Sequence, residues 1–193
     1  QWFVDGDVWE VMSYAKLFLV AAVVVTAIAA WTDFKKGIIP NWLSLGALVI
    51  APILHGVLGG AYQGVRGVFE GAIFSLLGAL ACGAVPMLLY AVGGGRGGDV
   101  KLLAAVGALC RPVIGIEAVF YGFLVAAIYA QARLAYEGKL LQTLGNTAFL
   151  AINPFLPKAR RRKLTKESMT WTRLGPSVFV GTAIAVLLNW SIP

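Results

Sequence analysis

The amino-acid sequence predicts an all-α fold: a polytopic membrane protein of about six transmembrane helices, organised as one domain over residues 1–193. Three observations carry this. Hydrophobic residues make up 59% of the chain and charged residues 13%, against roughly 45–50% and 25% in soluble domains. One small soluble core cannot hide that much apolar surface, and the mean hydropathy is +0.80. The apolar residues are gathered into runs, and the basic residues fall mostly on alternate breaks between them. The same composition excludes disorder, a collagen-like repeat and a disulfide scaffold. Apolar content is too high, glycine has no three-residue period, and there are 2 cysteines.

The runs are taken in order. Residues 14–31 are apolar throughout after Lys16. Residues 42–58 form the second run, with Pro52 and His55 inside it, and 68–92 the third, with Glu70 near its start. The fourth run, 100–109, is short. A helix needs roughly 20 residues to cross about 30 Å of hydrocarbon. A partial or thinly spanning helix backed by protein or water is therefore predicted there. Residues 113–132, with Glu117 near the start, and 176–190 are the fifth and sixth runs. Residues 136–155 are apolar but broken by Glu137, Gly138, Lys139, Gly145, Asn146 and Pro154, and read as an interfacial segment. Cys82 and Cys110 lie in apolar surroundings without a CxxC or zinc spacing and read as small buried hydrophobes.

Six crossings put both termini on one side. The loops 32–41, 93–99 and 133–175, with Lys101 beside them, hold 13 of the 16 basic residues, leaving Lys16, Arg66 and Arg111. The positive-inside rule then places these loops in the cytoplasm and both termini outside, in a cell (inner) membrane. The net charge of +7 is concentrated in Lys158, Arg160, Arg161, Arg162, Lys163, Lys166 and Arg173. In such a chain this run reads as a cytoplasmic loop facing anionic headgroups at 158–173, not as a nucleic-acid surface.

Of the nine acidic residues, Asp5, Asp7 and Glu10 sit in the outer N-terminal tail. Glu70 and Glu117 lie at outer helix ends, and Glu137 and Glu167 in the long inner loop. Asp33 and Asp99 remain, each at the cytoplasmic end of an apolar run, where a carboxylate is costly to bury and a function is the default reading. They belong to different helices at the same depth. Two carboxylates that can approach suggest an aspartic-protease dyad, in which one takes a proton from water and the other donates to the scissile carbonyl. The competing reading is structural: each carboxylate caps a helix or pairs with Lys36 or Lys101, and Asp99 suits the N-cap of the fourth helix. Spacing alone leaves both open.

The neighbourhoods separate them. Asp99 follows Gly93-Gly94-Gly95-Arg96-Gly97-Gly98 and precedes Val100-Lys101. A Gly-rich turn lets a peptide backbone come close. No Gly-Lys-Ser/Thr follows, so a phosphate cradle is disfavoured. Asp33 is followed by Phe34-Lys35-Lys36-Gly37-Ile38-Ile39-Pro40-Asn41, and Pro40 and Asn41 start the second helix.

Together these segments resemble the aspartic type IV prepilin peptidases, membrane proteases of the GxGD class. That family carries an Asp followed six residues later by Ile-Pro-Asn, matched by Asp33 and Ile39-Pro40-Asn41. Its second Asp lies in a Gly-x-Gly-Asp-Val-Lys signature, matched by Gly98-Asp99-Val100-Lys101, with Arg96 at the position of the first Gly. The resemblance implies catalytic Asp33 and Asp99. It also implies supporting or substrate-binding roles for Gly97, Gly98, Lys101, Pro40 and Asn41, with neither metal nor cofactor. It further implies a prepilin-like substrate whose leader is cut at the cytoplasmic face. Longer members carry a cysteine-rich, zinc-binding cytosolic insert and also N-methylate the new pilin end. This chain lacks that insert and is similar to the short form of tight-adherence pilus systems, so methyltransferase activity is not implied.

Two rival readings fit the residues less well. A serine or thiol protease needs a base, and His55, the single His, has no Gly-x-Ser-x-Gly beside it. A proton- or ion-coupled transporter uses carboxylates near mid-bilayer between repeats, whereas these two lie at the inner margin.

Overall fold

The computed structural model describes residues 5–91, 95–138 and 173–190, with side chains from residue 14 onward. All regular structure among them is α-helical. The helices are α1 (Asp5–Lys36), α2 (Asn41–Ala91), α3 (Gly97–Tyr136) and α4 (Gly175–Leu188). The acidic residues expected in an N-terminal tail thus begin α1. By clustering, the chain forms two units, residues 1–125 with 173–193, and 126–172. The interfacial segment expected at 136–155 and the basic loop at 158–173 lie outside the described residues, apart from 136–138 and Arg173.

α1 runs without Gly or Pro between Val8 and Lys36 and stops at Gly37. That residue adopts φ 66°, the left-handed conformation in which a Cβ is penalised, and its N–H donates to the Asp33 carbonyl at 2.9 Å. The last turn of α1 is thereby closed on Asp33. α2 opens after Pro40, whose carbonyl accepts the N–H groups of Leu43 and Ser44 at 3.2 and 3.3 Å. Pro40 has no N–H of its own to leave unsatisfied there.

α2 and α3 each contain one non-helical residue. In α2 it is Gly64, at φ 62°, ψ −151°. In α3 it is Arg111, at φ 61°, ψ 177°, followed by Pro112. Each helix folds back on itself at that residue. A Cβ on Gly59 would overlap the Gly67 carbonyl, and one on Gly71 the His55 carbonyl. A Cβ on Gly115 would meet Cys82 Sγ at 2.9 Å and Gly107 Cα at 3.0 Å. With α1 and α4, the four arms make six helical rods among the described residues, and the six apolar runs fall on them in order.

The first arm of α3 carries the short fourth run. Leu102, Leu103, Ala105, Val106, Gly107 and Ala108 are all buried, so this arm is enclosed on every side. A helix apolar all round needs such a position. Gly78 of α2 and Gly107 of α3 meet backbone to backbone, and a Cβ on either would overlap the other's carbonyl. Ser75 Oγ donates to the Ala108 carbonyl at 2.7 Å across the same contact. α1 packs against α4 and α2. Outward positions such as Val65, Leu80 and Val113 are strongly exposed and apolar. α2, α3 and residues 14–36 of α1 are each long and apolar enough to cross a membrane.

His55 is 2% exposed; its Nε2 lies 3.1 Å from the Leu109 carbonyl, and its ring stacks on Phe18 with centroids 3.5 Å apart. It ties α1, α2 and α3 together, in keeping with the structural reading of a lone histidine.

Candidate active site

Three chain segments converge where α1 ends and α3 begins. The last turn of α1 supplies Asp33, which is 3% exposed. The connection to α2 supplies Gly37, Ile38, Ile39 and Asn41; the start of α3 supplies Arg96, Gly98 and Asp99. These residues line one cavity of about 230 Å³. The two aspartates, 66 positions apart in sequence, therefore face a common space.

Asp99 does not cap α3. The helix begins at Gly97, so Asp99 lies within its first turn and its N–H donates to the Arg96 carbonyl at 3.1 Å. Two glycines ahead of the carboxylate let the helix start early. The carboxylate is thus held on a helical turn, partly buried, with Asp33 and Arg96 as its charged neighbours. Arg96, at the position where the signature has its first Gly, is thus a lining residue of the cavity and an electrostatic partner of Asp99.

The other predicted residues separate by position. Gly98 lies against Ile39, where a Cβ would make ordinary contact at 3.5 Å. Gly97 faces the ring of Tyr90 and is not among the lining residues. Pro40 stands behind the cavity as the acceptor that starts α2. Lys101 also lies outside the lining, but its Nζ donates to Asn41 Oδ1 at 3.1 Å. One hydrogen bond therefore bridges the two signature segments.

Two contacts from the far end of the chain were not anticipated. The Gly175 N–H, first in α4, donates to Asp33 Oδ2 at 3.1 Å in a buried setting. The guanidinium of Arg173 donates to the carbonyl of Phe34. Sequence spacing held no signal for the first, because the donor is a backbone group and Gly175 has no side chain to mark it.

No curated protein and no solved structure matches the chain. A family model described as the type IV leader peptidase family matches residues 19–131, more than half of the 193 residues. The match includes α1 from Leu19, both aspartates and the cavity lining between them. On this match the chain belongs to the type IV leader peptidase family.

Proposed function

We propose that this protein is a membrane aspartic endopeptidase that removes the short leader of prepilin-like proteins, with Asp33 and Asp99 as its catalytic dyad. The observation that carries the reading is the shared cavity: two carboxylates from separate helices line one space in a chain of a leader peptidase family. Close carboxylates do not both ionise at ordinary cost, so the pair holds one proton between them. One carboxylate takes a proton from water as the water oxygen adds to the scissile carbonyl carbon. The other gives its proton to the carbonyl oxygen. Collapse of the tetrahedral diol breaks the C–N bond; the departing amine receives the proton taken from water, and a diol proton restores the second carboxyl.

Six crossings of the inner membrane, with both termini outside, fit this reading. The breaks at Gly64 and Arg111 fall where outer turns belong in that topology, while Lys35 and Lys36 end α1 and Arg96 lines the cavity. The scissile bond is then cut at the cytoplasmic margin, just before an apolar helix of the substrate. The chain's lack of a cysteine-rich insert favours leader cleavage without N-methylation.

The test is cleavage of a prepilin-like peptide by purified protein. Asp33→Asn and Asp99→Asn should each abolish turnover while the helical circular-dichroism signal is kept. Groups that act as a unit lose activity as a unit, so the double variant should be little worse than either single. Near-normal turnover by either single variant in detergent would refute the dyad.

A further inference from the structure

The start of α4 touches the site through two residues only two positions apart. Arg173 donates to the carbonyl of Phe34, and Gly175 donates through its backbone N–H to Oδ2 of the neighbouring Asp33. The last turn of α1 is thus held at adjacent residues from one side. Gly175 is the first residue of α4, so no intrahelical acceptor competes for its N–H. Pro176 follows and has no N–H, so among the first two residues of the helix Gly175 is the sole donor. The approach also requires glycine. A Cβ at 175 would lie 2.9 Å from both Cβ and Oδ2 of Asp33, a distance that real Cβ atoms do not tolerate.

Oδ2 of Asp33 accepts this bond, and the bond together with the buried surroundings orients the carboxylate. We infer that Gly175 is a positioning residue that holds Oδ2 of Asp33, so that Oδ1 is the oxygen presented to the cavity. This rests on the dyad reading above and adds to it the group that orients one of its two carboxylates.

The decisive experiment replaces the N–H without adding atoms. Glycolic acid in place of Gly175, introduced by nonsense suppression in the full chain, converts the amide into an ester. The probe is a synthetic peptide with a short hydrophilic leader, Gly at the cut and an apolar segment after it. The expected result is a fall in kcat of roughly 10- to 100-fold with KM unchanged, the size of a lost hydrogen bond to a charged group and a slightly misplaced carboxylate. The ester also weakens the Leu174 carbonyl that accepts the Val178 N–H, so the thermal midpoint is measured alongside. Gly175→Ala should lower kcat at least as far, because the methyl displaces the Asp33 carboxylate. Gly46→Ala, with nothing within 4 Å of its Cβ, should not change turnover. If the ester variant keeps kcat within threefold while Asp33→Asn is inactive, the positioning role is overturned and the dyad stands. If Asp33→Asn is active, the dyad itself fails, and this inference with it. A fall in both kcat and thermal midpoint in the ester variant assigns Gly175 to folding and also overturns the inference.

Discussion

Asp33 and Asp99 stand out in the sequence because ionisable side chains at the margin of apolar runs are few, and these two lie at the ends of their runs that adjoin the basic loops. What spacing could not resolve was whether they cap helices or face one another. The structure separates these for Asp99: the helix starts two residues earlier, at Gly97, and the side chain goes to the cavity. The Gly175 contact was illegible because its chemistry lies in the backbone, 142 residues away from Asp33. Arg96 read as a departure from a glycine signature, and only the fold shows that it lines the cavity. A dyad sharing one proton should give a bell-shaped dependence of kcat/KM on pH. At low pH both carboxyls are protonated and no base remains; at high pH both are ionised and no acid remains. A chelator should leave the rate unchanged, and loss of activity restored by a divalent metal would refute the mechanism. The Lys101–Asn41 bridge makes a smaller, separate prediction. Lys101→Met and Asn41→Leu should be non-additive in kcat/KM, with a coupling of about 0.5–1.5 kcal/mol, the size of one hydrogen bond. Strict additivity would show that the bridge does not act during turnover.

At the scale of elements, the apolar runs foretold which segments are helical, because length and composition suffice for that. The turn at Gly64 agrees with glycine's tolerance of positive φ. The turn at Arg111 does not announce itself, since arginine at φ 61°, ψ 177° is a conformation that pattern reading assigns to glycine. The shortness of the fourth run predicts a partial or thinly spanning helix backed by protein or water, and the buried side chains of the first arm of α3 show protein against it. Gly78 and Gly107 bring α2 and α3 into backbone contact, so the arm carrying Asp99 is anchored on rigid neighbours. Gly78→Ala should therefore separate the two helices and lower stability by roughly 1–3 kcal/mol, the usual cost of overpacking. Its thermal midpoint in detergent should fall, while that of Gly46→Ala, which meets nothing, should hold. Equal midpoints for the two variants would show that the close contact is not a packing constraint.

For the molecule as a whole, the charge asymmetry of the sequence predicts an orientation, and the cavity includes Arg96 and follows directly on Lys35 and Lys36 at the end of α1. On the proposed reading, the substrate's leader lies on the basic side, and its apolar helix enters the membrane just after the scissile bond. Two residues lining the cavity of about 230 Å³ are Gly37 and Gly98, which leave room for a backbone with a small side chain to approach. The resemblance to prepilin peptidases implies Gly as the leader residue before the cut. Replacing it with Phe should slow cleavage by at least tenfold, more than any single change further upstream, since a misfit at the reacting carbonyl disturbs the attack geometry directly. Beyond the cut, the apolar helix fixes the register by packing against the enzyme's helices. Mass spectrometry of the products checks both statements: the cut should fall at the hydrophilic–apolar junction. A cut in the middle of the apolar segment, or on its outer side, would place the chemistry away from Asp33 and Asp99.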